Sequence, residues 1–239
     1  MSRIRLATEF ADKVKQSLVD HMTKERRESD DKFHVSDLLA PRFAFYAIGD
    51  GRVMRPEDVD MFIPGVAFHE LLQKAMGTEY AEKVVELEDI VGHIDLLMSY
   101  VVEIKTSRKY TIPEMPDAHY LQQAKYYMAL SDKKIGYIVV IYFTAGRNPW
   151  KKKASTLEIV AWKIEMSQEE LEKTRGEMLN IRNSIKEAVV INKPEILPLC
   201  QIWKCGQAYK GEITRSCPYY SQCKPEGRFP ELVLLRGLK

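Results

Sequence analysis

Apolar residues recur at Ile4, Ala7, Phe10, Val14, Leu18 and Met22, three and four apart with charges between them. That pattern predicts an amphipathic helix over 4–28, packed on the body of the domain. After RRESDDK, the stretch HVSDLLAPRFAFYAIGDG predicts a short helix and turn, with Ser36 as N-cap and Pro41 as the interruption. Pro64 suits a helix start, and GVAFHELLQKAMG sets Val66, His69 and Leu72 on neighbouring faces before Gly77 ends the helix. KVVELEDIVGHIDLLMSYVVEIKTS is dense in β-branched residues; Gly92 and a turn near Ser99 divide it into two or three adjacent antiparallel strands. MPDAHYLQQAKYYMALSD has helical spacing, KIGYIVVIYFTAG and STLEIVAWKIE are strands joined by a Lys-rich turn, and SQEELEKTRGEMLNIRNSIKEAV is a long helix opened by a Ser167–Glu170 capping box.

These elements predict an α/β fold: a mixed central sheet with flanking helices up to about residue 190. From Asn192 the character changes. All four cysteines stand here, among prolines and with little periodicity, and such a segment needs a staple to hold it. The expected organisation is a helical region at 1–62, a core at 63–191 and a cysteine-rich tail at 192–239 packed on the core.

The chain has 239 residues, 45% of them hydrophobic and 29% charged, with no apolar run near the length of a membrane span. MSRIRLATEFADKVKQ lacks the apolar run of a secretory signal, so an intracellular, cytoplasmic setting is expected. A net charge of +2 excludes non-specific coating of nucleic acid by the whole surface and makes any such site local. Positive charge gathers at Lys105, Arg108 and Lys109, at Arg147 with Lys151 to Lys153, and from Lys204 to Lys239. Such runs are solvated faces or contacts to phosphate.

Triplets of acid, any residue and lysine occur three times: Asp30 with Lys32, Glu103 with Lys105, and Asp132 with Lys134. The first and third fall in polar, turn-like stretches. Only VEIKTS falls in a strand, where Glu103 and Lys105 share a side and Ile104 faces the other. Asp95, in GHIDLL, stands on a strand expected to pair with the one bearing Glu103, so the two carboxylates can converge on one hard cation. Oxygen ligands suit Mg²⁺ or Mn²⁺, and the Ile104 carbonyl is a further candidate ligand. Lys105 could stabilise charge on a phosphate or help deprotonate water. His69 offers an imidazole nitrogen to the metal or is a satisfied core histidine. Gln123 and Tyr127, four apart on one helix face, are candidates to orient Lys105 and to contact DNA, or else packing residues.

The order GVAFH, GHIDLL, VEIKTS, QAKYY and a cysteine-bearing tail resembles the RecB-like branch of the PD-(D/E)xK nucleases, whose fold is restriction-endonuclease-like. Within that branch it resembles the CRISPR-associated iron–sulfur exonucleases, the Cas-four family. The resemblance implies a DNA nuclease with a divalent-metal site at His69, Asp95, Glu103 and Lys105, helped by Gln123 and Tyr127. It further implies trimming of single-stranded or overhanging DNA, processing of CRISPR spacer precursors and association with the integrase complex. A structure-specific endonuclease of the same clan and a non-catalytic DNA-binding scaffold are the alternatives, and self-association is left open. Where the family has a cysteine before the proline of SDLLAPRFAFY, this chain has Ala40. The tail instead carries Cys200, Cys205, Cys217 and Cys223, a set able to close on itself with Cys200 as the replacement. An iron–sulfur cluster is favoured over Zn²⁺, which suits the same thiolates; two disulfides or four unbound thiols are the plainer reading. A folded tail would present Lys204, Lys210, Arg215 and Lys224 to DNA beside Arg108 and Lys109.

Overall fold

The computed structural model describes residues 13, 16–17, 32–50, 56–109, 111–145, 156–200, 206–209 and 212–223. Lys13, Gln16 and Ser17 are helical; the rest of the helix expected over 4–28 lies outside the described residues.

In chain order, β1 (Phe33–His34) leads into the short helix α1 (Val35–Leu38), then α2 (Pro41–Asp50) and α3 (Pro56–Met76). A 3₁₀ turn at Thr78–Tyr80 precedes three consecutive strands, β2 (Ala81–Leu87), β3 (Ile90–Leu97) and β4 (Val101–Ser107). Helix α4 (Ala118–Ser131), strands β5 (Ile135–Ala145) and β6 (Thr156–Glu165), and helix α5 (Gln168–Ile191) complete the core. The tail contributes β7 (Gly206–Tyr209), β8 (Glu212–Ser216) and the single turn α6 (Tyr220–Cys223).

The main sheet is mixed. β3 pairs antiparallel with β2 along one edge, and on the other edge with β1 in parallel and β4 in antiparallel fashion. β4 and β5 run parallel, as they must when α4 carries the chain back across the sheet, and β6 is antiparallel to β5. The antiparallel run expected for residues 83–107 is present. Its first break is the Glu88–Asp89 turn, however, and Gly92 sits within β3 opposite Val85. A Cβ at Gly92 would lie 2.8 Å from Leu130 Cδ1 and 3.0 Å from the Tyr127 ring. The glycine therefore lets α4 approach the sheet; it does not end a strand.

Three helix boundaries differ from expectation for local reasons. Asp37 Oδ2 accepts the His34 N–H at 2.9 Å, so α1 is capped at His34 and Ser36 lies in its first turn. Pro41 begins α2 instead of interrupting a helix, using an N-terminal position where a missing N–H costs nothing. Pro64 lies inside α3, which starts at Pro56 and gives up one internal hydrogen bond at the second proline. The capping box of α5 is as expected: Glu170 N–H donates to Ser167 Oγ at 3.2 Å and Ser167 N–H to Glu170 Oε2 at 2.7 Å.

Each face of the sheet has its own core. Ile94, Val101, Ile138 and Val140 pack with Tyr126 to Ala129 of α4 and with Leu171, Met178 and Ile185 of α5. Leu96, Val102, Ile104 and Ile141 pack with Phe68 and Leu72 of α3. Each fully buried aliphatic side chain contributes about 1.5–3 kcal/mol relative to exposure, so the strands carrying Asp95 and Glu103 are clamped from both sides.

The tail returns to α2. Arg42 donates to the carbonyls of Leu197 at 2.5 Å and Glu195 at 3.2 Å. Cys200 is buried against Ala40 and Phe43, and Tyr219 packs on Phe43 and Tyr46 with ring centroids 5.1 and 5.8 Å apart.

Candidate active site

The antiparallel register of β3 with β4 sets Leu97 opposite Val101 and Leu96 opposite Val102. One rung further, the strands part between Asp95 and Glu103. In place of the ladder, Asp95 Oδ2 accepts the Ile104 N–H at 2.6 Å. The side chain of one acid thereby satisfies the backbone beside the other. Its second oxygen, Oδ1, faces His69 Nδ1 of α3 at 3.4 Å.

Glu103 is 1% exposed and Lys105 reaches its Oε1 at 2.5 Å. Glu103 Oε2 is buried with no hydrogen-bond partner. Lys105 also lies 5.6 Å from the centroid of the Tyr120 ring, a neighbour the sequence reading missed because Tyr120 looks like one more aromatic of α4. Gln123 Nε2 donates to Tyr127 Oη at 3.0 Å and so organises that phenol, not Lys105. Tyr127 is buried, with its ring close to Gly92; it backs the site from within.

The electrostatics fit one cluster. Burial pushes the Glu103 carboxyl up to about 7, and Asp95 adds to the rise while Lys105 and His69 oppose it. Burial works against the charge of His69, but its hydrogen bond to Asp95 and that residue's charge outweigh it, so the imidazole is raised. Burial likewise opposes the Lys105 ammonium, and Glu103 with Asp95 reverses the sign and raises it. The Tyr127 phenol is pushed well above its ordinary value, first by burial and then by the charge of Glu103, and stays protonated. Burial lowers His119, beside Tyr120, to about 4, so that imidazole is neutral near neutral pH.

The donor set of two carboxylates and an imidazole suits a hard divalent cation. A buried carboxylate oxygen without a donor is a group that such a cation would satisfy. The side chains are not drawn up as a finished cage: among the described residues no three His, Cys, Asp or Glu side chains are grouped to hold a metal. Asp95 is held by Ile104 and His69, and Glu103 by Lys105.

At the far end of β4, Arg108 lies over Phe143 at 5.7 Å, and Phe143 stacks on Phe68 of α3 at 5.9 Å. Lys109 is held by Asp117 at 2.6 and 2.8 Å. Lys204, Lys210, Lys224, Cys205, Arg147 and Lys151 to Lys153 lie outside the described residues, and Arg215 lies in β8. Cys200 is buried, Cys217 and Cys223 are half-buried, and these three do not form a metal-holding group among the described residues.

Among the described residues no helix is long and apolar enough to cross a membrane. No protein-family model matches the chain, and no curated protein matches it. Among solved structures it is similar to the protein SSO0001, at 21% identity over 77% of this chain and 85% of that one, with a TM-score of 0.48. It is similar to a phage-related exonuclease from Haemophilus somnus 129PT at 17% identity, covering 54% of this chain and 71% of that one, with a TM-score of 0.37. It is also similar to the alkaline exonuclease LHK-Exo from Laribacter hongkongensis at 12% identity, covering 69% of this chain and 93% of that one, with a TM-score of 0.42.

Proposed function

We propose that the chain is a divalent-metal-dependent deoxyribonuclease that acts as an exonuclease on single-stranded or overhanging DNA ends. The observation that carries the reading is the buried, unpartnered oxygen of Glu103 on a strand tied to the neighbouring acid Asp95 through Ile104. His69, Asp95, Glu103 and the Ile104 carbonyl would hold Mg²⁺ or Mn²⁺. When bound, such an ion polarises a phosphoryl oxygen and acidifies water.

The remaining work falls to the chain's own groups. Lys105 brings a positive charge to the place where charge builds on the phosphate. Glu103 keeps that ammonium charged and oriented. Gln123 and Tyr127 close the inner wall, and α4 packs tightly on the sheet at Gly92. Arg108, over an aromatic ring beyond Lys105, is a cation suited to steer a strand by its phosphates.

Processing of CRISPR spacer precursors alongside an integrase, and a thiolate-bound iron–sulfur cluster, rest on the order of motifs. The packing of Cys200 on Ala40 supports the idea that the tail staples to α2. An iron-bearing brown protein would favour the cluster, and a colourless zinc protein would replace it without touching the nuclease reading. The function itself is tested with end-labelled linear and circular single-stranded DNA in Mg²⁺, Mn²⁺ and EDTA. Metal-dependent shortening of linear DNA with circles intact is the expected result. Cutting of circles would reassign the protein as an endonuclease, and DNA binding without cleavage would reassign it as a scaffold.

A further inference from the structure

Asp95 interrupts both ladders of β3, not only the one facing β4. On the β2 side, Ala81 lies opposite Leu96 and Lys83 opposite Ile94, with no rung between Glu82 and Asp95. Glu82 has a φ of 48°, a left-handed backbone that residues bearing side chains rarely adopt. The amide of Gln73 fills the gap. Its Nε2 donates to the Asp95 carbonyl at 3.2 Å and to Glu82 Oε1 at 2.7 Å, which uses both of its N–H groups.

Gln73 lies on α3, four residues after His69 and hence on the same face. It is 7% exposed, and a buried amide is retained at a cost unless its hydrogen bonds are made. α3 therefore grips Asp95 at two points: His69 at the carboxylate and Gln73 at the carbonyl of the same residue. With Ile104 on the other oxygen, neither the backbone nor the side chain of Asp95 is left to rotate freely.

We propose that Gln73, anchored by Glu82, is a positioning residue that fixes Asp95 for divalent-metal binding. This rests on the nuclease reading above. Neither residue touches the metal in this scheme. Each acts through Asp95, in the way that groups behind metal ligands set ligand orientation.

The test is Mn²⁺ affinity by calorimetry on the full-length protein, with thermal melting in EDTA alongside, for wild type, Gln73→Met, Glu82→Ala and Asp95→Ala. Gln73→Met keeps the volume and removes both donors; the expected result is a loss of about tenfold in Mn²⁺ affinity with the melting transition still cooperative. Glu82→Ala, at an exposed position, should weaken Mn²⁺ binding in the same direction, and it decides the matter should Gln73→Met fail to fold. Wild-type affinity in Glu82→Ala, or in a folded Gln73→Met, overturns the positioning role if Asp95→Ala has lost the metal. Wild-type affinity in Asp95→Ala overturns the metal site itself.

Discussion

Ile104 gives its backbone N–H to the carboxylate of Asp95 at 2.6 Å, so the acid on β3 is tied to the strand that carries Glu103 and Lys105. Where a sheet would place an ordinary ladder bond, the chain uses a side chain. The bond makes Asp95 both a structural acceptor and a candidate metal ligand, and the two roles can be separated.

Asp95→Asn retains an amide oxygen for Ile104 and removes the charge. Denaturant unfolding should show a loss of no more than about 1 kcal/mol, whereas divalent-dependent cleavage should fall by about a hundredfold or more. Asp95→Leu should cost a further 1–3 kcal/mol, roughly, because it leaves the Ile104 N–H without an acceptor.

Lys105→Ala separates charge stabilisation from metal binding. In EDTA the variant removes the ammonium that contacts the buried Glu103 side chain, and about 3–5 kcal/mol of stability should be lost. Saturating Mn²⁺ should restore much of it by binding the native state alone. Cleavage should remain abolished, and Mn²⁺ affinity should be unchanged or higher, since a competing ammonium has been removed.

Glu103, raised by burial to about 7, gives metal binding a pH dependence of definite sign. Below pH 7 the carboxyl is largely protonated and must lose a proton to take a cation; His69, also raised, must lose one too. Mn²⁺ affinity should therefore rise as pH increases from about 6 to 8, with proton release that calorimetry reads as a dependence on buffer ionisation enthalpy. Glu103→Gln should bind weakly at every pH and lose the part of this slope centred near 7.

Gly92 and Gly136 offer a contrast in packing. A Cβ at Gly92 meets the Tyr127 ring and Leu130, while one at Gly136 meets the sulfur and γ-carbon of Met128, a side chain with three rotatable bonds. Gly92→Ala should cost about 1–3 kcal/mol and reduce cleavage by displacing Tyr127; Gly136→Ala should cost less and leave cleavage near wild type. Thermal melting and the DNA assay together measure both.

Much of this was legible along the chain. Periodicity located α4 and α5, the β-branched runs located β3 to β6, and the order from His69 through Asp95 and Glu103 to Lys105 marked residues that the fold sets in contact as pairs, His69 with Asp95 and Glu103 with Lys105. Local pattern did not reveal what depends on pairing: that β4 and β5 are parallel, or that Gly92 is a contact for a helix beginning more than twenty residues later. Pro41 and Pro64 misled because a proline permits a helix start, and only the upstream backbone decides whether it is one. Gln73 and Glu82 carried no signal. A glutamine one turn past a histidine is common on any helix, and its meaning comes from the rung missing between β2 and β3.

The most direct test is single-turnover cleavage of an end-labelled single-stranded oligonucleotide by wild type, Asp95→Asn and Glu103→Gln in Mn²⁺, each repeated in EDTA. Wild type should shorten the strand from its end only when metal is present, and both variants should bind the strand without cutting it. Wild-type cleavage by Glu103→Gln, or equal cleavage with and without EDTA, would contradict the assignment of these two acids as the metal-holding pair.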